Sequence, residues 1–409
     1  MSVNVRPITG DEFDSWVAAV KSGFMMPPAA TGEGAARLAL HVDLHRTFAG
    51  FDGTHIVGTY RSFGIDLSMP GETLLPVAAV SAVTVQPTHR RQGFLSTAMQ
   101  RDHRESCDRG EAASILIAAE WPIYGRFGYG PATWSKNVVV DASVSLTDEL
   151  SDPGSVSFVE LDQAPALISA LHTSILPTQP GDIVWQPHWS SDNLGLAGYP
   201  GDKPYKGRVL VHRDKRGRID GVLRYRTDGE FTARRPNVTL TVDELLSSNR
   251  VAWSSLWRFA LRVDWVTTVK ADNRPVDEPI GLLFTNGRAA VTTGMSDFTW
   301  LRVLDVSKLF TRRAYRSAVN IVIEVTDNDG FANGRYQFDV SPAGATVTRT
   351  RKAAHLTMPV TVLGAVALGG TSVVALHQAG QLDEHRRGAV TQAADVFGWP
   401  VAPWCSVWY

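Results

Sequence analysis

The sequence predicts an α+β protein of two or three domains, and three observations point there. A chain of 409 residues exceeds what one core usually holds, since domains run to roughly 100–200 residues. The stretch Val80 to Ser96, VSAVTVQPTHRRQGFLS, passes from a β-branched strand through a basic, glycine-containing loop into a helix. Short alternating strands joined by turn residues recur in three successive regions, interleaved with amphipathic helices.

Taken in order, Val3 to Pro7 alternates as a short strand. Thr9 and Asp11 offer caps for a helix carrying Phe13, Trp16, Val17 and Val20 at helical spacing. A second helix is expected over Ala35 to Arg46. Thr47 to Phe51 and Thr54 to Ser68 read as strands joined at Asp52-Gly53, a strong hairpin signal. Glu72 to Val85 extends the sheet until Pro87, which has no N–H for the ladder. Phe94 to Arg109 is helical through Leu95, Ala98 and Met99, and Ser114 to Ala119 is a short buried strand. This set completes a first domain over residues 1–140.

A central domain is expected over 141–295. Val209 to Val211 and Ile219 to Tyr225 flank the turn-rich Arg213 to Arg218, Thr239 to Val242 is a strand, Leu245 to Ala260 a helix, and Trp265 to Val269 a further strand. This half lacks the basic loop, which fits a diverged copy of the first fold. The third domain, 296–409, opens at WLRVLDVSKLF, a strand running into a helix. Ala318 to Thr326, Gly334 to Val340, Thr346 to Arg349 and His355 to Met358 read as strands, and Val360 to Ala367 and Gly388 to Phe397 as helices. The chain ends WPVAPWCSVWY. A free end normally frays and is polar, so a tail this aromatic is expected to be buried.

Composition narrows the function. A formal net charge of −1 with 20% charged residues does not describe a nucleic-acid or polyanion binder. Cys107 and Cys405, the two cysteines, are neither a metal spacing nor a disulfide scaffold, which agrees with a reducing cytoplasm. The N-terminal residues carry no signal pattern, and the apolar run Val360 to Leu368 is too short to cross a membrane. His41 and His45 stand four apart without an HExxH pattern, and no GxSxG elbow is present, so neither metal nor serine-nucleophile chemistry is expected.

The chemistry-bearing residues begin with the basic loop. Backbone N–H groups at a helix N-terminus favour anions, Arg90 and Arg91 add fixed positive charge, and Gly93 allows close approach of a phosphate. The loop is neither a Walker loop nor a GxGxxG turn, and it suits a diphosphate. Farther on, Trp121 to Gly130, WPIYGRFGYG, alternates rings with glycines. On the residues alone Tyr124 and Tyr129 read first as core rings with satisfied hydroxyls, and second as proton donors, a phenol being protonated at neutral pH.

At Arg90-Arg91-Gln92-Gly93 the chain resembles the GNAT acetyltransferases, whose acetyl-CoA loop reads R/Q-x-x-G-x-G/A; Leu95 replaces the second small residue. THRRQG, then IYGRFGYGPAT, then the stretch Ile280 to Arg288 and WLRVLDV resemble the Eis family of aminoglycoside and polyamine N-acetyltransferases over the whole chain. That resemblance implies two GNAT-like domains, a sterol-carrier-protein-like α/β domain and a hexamer. It also implies acetyl-CoA held by Val83, Thr84 and Val85, by Arg90, Arg91, Gln92, Gly93, Phe94, Leu95 and Ser96, and by Ala119 and Glu120. The family's tyrosine acid carries over to Tyr124, and its base, the C-terminal carboxylate, to Tyr409, where relatives often end in phenylalanine. Phe24, Met26, Ser81 and Ala82 fall on the acceptor wall, with Met26 in place of an acidic residue and Ser81 and Ala82 in place of a larger ring. A small-molecule amine, antibiotic resistance, no metal and no nucleic-acid or membrane partner complete the expectation. The alternative is a non-catalytic GNAT-fold protein that binds a lipid or small ligand through its last domain.

Overall fold

A computed structural model describes residues 3–26, 39–148, 150–196 and 203–409. Strands β1 (Asn4–Pro7), β2 (Thr47–Asp52), β3 (His55–Met69), β4 (Thr73–Val85) and β5 (Ala113–Ile117) form most of a first sheet, with helices α1 (Phe13–Gly23) and α2 (Phe94–Asp108) packed on it. Thr9 and Glu12 make a reciprocal capping box ahead of α1, which buries Phe13, Trp16 and Val17 and sends the Trp16 indole N–H to the Phe48 carbonyl at 3.0 Å. β2 and β3 pair antiparallel across Asp52-Gly53. β4 and β5 run parallel, joined through α2. After β5 come the short helix α3 (Trp121–Tyr124) and strand β6 (Gly130–Pro131). Of the expected helix over Ala35 to Arg46, residues up to 38 lie outside the described residues. Leu44–Arg46 is a 3-10 turn, with the Asp43 side chain accepting from the His45 N–H.

The second sheet runs β13-β7-β12-β11-β10-β9-β8. Its strands are β7 (Trp134–Asp141), β8 (Ser155–Val159), β9 (Arg208–Arg213), β10 (Ile219–Thr232), β11 (Arg235–Ser247), β12 (Val266–Pro275) and β13 (Ala290–Asp297), with helices α4 (Ala164–Ile175), α5 (Trp189–Asp192) and α6 (Arg250–Leu261). The parallel pair β11–β12, connected through α6, repeats the β4–α2–β5 unit of the first sheet. The helix expected from Leu245 starts later. Leu245 and Leu246 are buried in β11, and the helix begins only where the Asn249 side chain accepts from the Val251 and Ala252 N–H groups.

β14 (Thr299–Val303), expected at the opening of the third region, lies in the first sheet between β5 and β6. After it, α7 (Val306–Thr311) leads to the third sheet. That sheet is ordered β17-β16-β15-β18-β19, from β15 (Val319–Thr326), β16 (Gly334–Ser341), β17 (Gly344–Arg349), β18 (Leu356–Pro359) and β19 (Asp383–Glu384). Rings of Phe310, Phe338 and Phe397 pack edge to face inside it, with centroids 5.4–6.0 Å apart.

A buried ion pair joins the first and third sheets. The Arg302 guanidinium of β14 donates to both oxygens of Asp327 at 2.8 and 2.9 Å, with the two side chains 0% and 2% exposed. Removing one partner strands a buried charge. Asp327→Ala is therefore expected to cost about 3–5 kcal/mol in denaturant unfolding. Asp329, 3.9 Å from the same guanidinium and 20% exposed, should cost under about 1 kcal/mol when changed to alanine.

Candidate active site

The first site element is a parting of strands. β4 pairs with β5 only from Ala78 to Val80, against Ser114 to Leu116. Beyond Val80, β4 stays paired with β3 alone, through Thr84 with Thr59 and Val85 with Gly58. Ala82 marks a β-bulge there, at φ +53°. The β4 edge at Val83, Thr84 and Val85 is thus turned away from β5, leaving main-chain groups for an extended amide ligand, as in strand addition. The Thr84 side chain is occupied otherwise. It is buried, its hydroxyl stands 2.7 Å from that of Thr59, and it meets the end of α1, where a Cβ on Gly23 would lie 2.4 Å from Thr84 Cβ.

The loop after β4 is held in an uncommon backbone shape. Arg91 and Gly93 both have positive φ, +65° and +84°. A non-glycine in that region costs of order 1–3 kcal/mol and persists only where the surrounding structure holds it. Gly93 caps α2, and a Cβ there would face open space. His89 ties the loop to the β2–β3 turn, with Nε2 3.2 Å from Asp52 Oδ2. Arg90, Arg91, Gln92 and Ser96 are exposed, while Phe94 is buried and Leu95 half-buried. This arrangement fits a diphosphate: exposed cations and α2-start N–H groups share one open face. Phe94 can contribute only its backbone, because its ring fills the space over Gly50 and Gly58.

Tyr124 ends α3, seven residues past the last residue of β5, and Ala119 and Glu120 lie exposed between them. Its ring is buried in one apolar cluster with Val80, Leu116, Phe94 and Tyr129, against which Val83, Val85 and Leu95 also pack. Burial first, then the charge of Glu120, pushes its phenol up to about 12. Tyr129, whose ring lies edge-on at 6.3 Å, is committed elsewhere: its hydroxyl is 2.9 Å from His103 Nε2 and 2.7 Å from Ser114 Oγ.

The C-terminus arrives at the same strands. The Tyr409 ring meets Phe63 of β3 edge to face at 6.3 Å, and Phe63 pairs with Ala79, one residue before the strands part. Burial first, then Cys405, raises the Tyr409 phenol well above its usual value. Trp404, Cys405 and Val407 are buried, but Trp408 is 68% exposed, its ring edge-on to Phe298 at 5.4 Å, so the tail is not buried throughout as expected. Of the residues expected on an acceptor wall, Phe24 and Met26 are exposed at the end of α1, Ser81 pairs with Arg61, and Ala82 packs against the apolar cluster that includes α1. His41 stacks on His188 at 4.0 Å. Among the described residues no group of three or more His, Cys, Asp or Glu side chains is placed to hold a metal.

Residues 4–132 and 182–303 each match the family model for an acetyltransferase (GNAT) domain, and 306–406 match the sterol carrier protein domain. The chain is 35% identical to an uncharacterized N-acetyltransferase of Streptomyces griseus, covering 99% of both chains. It is 31% identical to the N-acetyltransferase Eis of Mycobacterium tuberculosis, covering 81% of this chain and 80% of that one. The chain belongs to the Eis-type N-acetyltransferases. The crystal structure of Eis1 from Mycobacterium abscessus superposes on this Eis-type fold with a TM-score of 0.87 at 27% identity, covering 99% of this chain and all of that one. Its GNAT domains imply use of acetyl-CoA and a small-molecule substrate. Among the described residues no helix is long and apolar enough to cross a membrane.

Sequence reasoning missed a polar layer beneath the Eis-type site. Asp102 of α2 accepts from Tyr60 at 2.8 Å and Ser62 at 2.6 Å, and Arg46 donates to Glu111 at 2.7 Å. Burial first, then Arg302, lowers His103 to about 3, so it is neutral beside Tyr129. The signal was present: Asp102, His103 and Ser106 share the buried stripe of α2 with Ala98 and Met99. Arg61 was also missed. It lies over the Phe63 ring at 5.0 Å, burial lowers its pKa, and its buried Nε has no partner among the described residues.

Proposed function

We propose that the protein transfers the acetyl group of acetyl-CoA to amines of aminoglycosides or other polyamines, with Tyr124 as general acid and the Tyr409 carboxylate as general base. The amine nitrogen attacks the thioester carbonyl, the N–C bond forms and the C–S bond breaks. The ammonium proton goes to the Tyr409 carboxylate, and the departing thiolate takes the Tyr124 proton. The observation that carries this reading is convergence: the last residue of the chain reaches Phe63 beside the point where β4 and β5 part, and the Tyr124 cluster lines the same opening. A phenol raised to about 12 remains protonated at neutral pH, as an acid must.

Val83 to Val85 would bind the pantetheine arm through the backbone, and Arg90 to Ser96 the pyrophosphate, with Ala119 and Glu120 on the opposite lip. Phe24, Met26, Ser81 and Ala82 form a roomy wall for an acceptor with several amines. A cytoplasmic homo-hexamer that modifies antibiotics fits the resemblance. The test is acetyl-CoA turnover with kanamycin, tobramycin and a linear polyamine, with acetyl groups counted by mass spectrometry. Release of CoA with at least one is expected; none with any of them overturns the acceptor class.

A further inference from the structure

The last residues are held by the central domain through a row of hydrogen bonds. Gln179 Nε2 donates to the Ala402 carbonyl at 3.0 Å, the Trp404 N–H to the Pro180 carbonyl at 2.9 Å, and Asn273 Nδ2 to the Cys405 carbonyl at 3.2 Å. The row ends at Ser406. Its N–H and hydroxyl both donate to Asp182 Oδ1, at 3.0 and 2.9 Å, and the Trp185 indole N–H donates to its hydroxyl at 3.1 Å.

Asp182 is 1% exposed, and its carboxylate is fully engaged. Oδ1 also accepts from the Ile183 N–H at 3.0 Å, and Oδ2 stands 3.1 Å from His172 Nε2 of α4, whose ring stacks on Trp185 at 4.2 Å. Its main chain belongs to the other domain's edge: the Ser68 N–H donates to the Asp182 carbonyl and the Gly181 N–H to the Ser68 carbonyl, both at 2.8 Å. Three parts of the molecule therefore meet at this residue: β3 of the first sheet on its main chain, and α4 of the central domain and the tail on its carboxylate. Ser68 is five residues from Phe63 along β3, and Ser406 is three residues from Tyr409. The two short arms close again where the Tyr409 ring meets Phe63.

We propose that Asp182 is the positioning residue of the terminal carboxylate: by clamping Ser406 to the strand that carries Phe63, it fixes where the chain's last atoms lie relative to the thioester. The proposal rests on the reading of Tyr409 as the base. A buried carboxylate is expensive to desolvate, and it is kept here between His172 of α4, the two donors of Ser406 and the N–H of its neighbour Ile183. A terminus released by even about 1 Å loses on the order of a hundredfold in rate.

The test uses full-length protein, reading kcat and the KM for acetyl-CoA. Asp182→Ala is expected to lower kcat about 100-fold with that KM within about twofold, and Asp182→Asn, which keeps an acceptor for Ser406, to recover most of kcat. In a chain extended by one glycine after Tyr409, Asp182→Ala should produce no further fall. Should Asp182→Ala not fold, Ser406→Ala is expected to lower kcat about tenfold, the worth of one charge-assisted hydrogen bond, and Ser406→Thr to restore it. Unchanged kcat in folded Asp182→Ala or in Ser406→Ala overturns the proposal, as does an equal loss from Asp182→Ala in the normal and extended chains. If the extension itself leaves kcat intact, the base assignment fails and the proposal falls with it. If the extension abolishes turnover and Asp182→Ala does not, only the proposal fails.

Discussion

A single glycine added after Tyr409 is expected to lower kcat at least about 100-fold while the KM for acetyl-CoA stays within about twofold, in steady-state assays of CoA release. The magnitude is that of a lost general base. One added residue moves the carboxylate about 3.5 Å along the chain. The ring of Tyr409 keeps its place against Phe63, and Ser406 stays clamped to Asp182, so the tail does not need to leave its groove. The loop from Arg90 to Ser96 and the β4 edge are untouched by the change, which is why cofactor affinity should hold. If the tail served only to pack, an extra residue beside Trp408, which is already 68% exposed, would cost nothing measurable. Turnover at the unextended rate would therefore remove the carboxylate from the chemistry.

The parts of the fold legible in the sequence are those with local signals. Asp52-Gly53 marks a two-residue hairpin turn and produces one, and the β-branched run ending before Pro87 is β4 to within a residue or two. The long β10–β11 hairpin was missed because its turn residues, Ala233 and Arg234, adopt positive φ of +50° and +63° without glycine or asparagine. Leu245-Leu246 looked helical because an apolar pair buried on both faces of a strand has no alternation to read. Sheet membership is non-local. WLRVL reads correctly as a strand, but its place between β5 and β6 depends on contacts more than 160 residues apart in sequence, such as the Thr299 N–H with Thr133 Oγ1. The candidate site divides the same way. The basic loop and the aromatic turn are contiguous motifs, whereas the Ser406–Asp182–His172 clamp joins residues 10 and 224 positions apart and carries no motif.

Tyr124→Phe is expected to lower kcat by about 10²–10⁴-fold, with little change in the KM for acetyl-CoA. The substitution keeps the ring that packs 6.3 Å from Tyr129 and among Val80, Leu116 and Phe94, so the fold loses at most about 1 kcal/mol. What it removes is the proton for the departing thiolate. The pH profile gives an independent reading. A general acid works while protonated, and activity falls as pH rises through its pKa. Burial and Glu120 raise this phenol from the ordinary 10 to about 12, so the alkaline limb of kcat assigned to it should lie near 12. Tyr129→Phe provides the contrast. Its hydroxyl is already engaged with His103 and Ser114 beneath the strands, so its loss should reduce stability more than it reduces kcat. Equal losses of kcat from the two variants, or a Tyr124→Phe enzyme whose kcat and acetyl-CoA affinity fall together, would make Tyr124 a packing residue of the opening and leave the thiolate to be protonated by solvent.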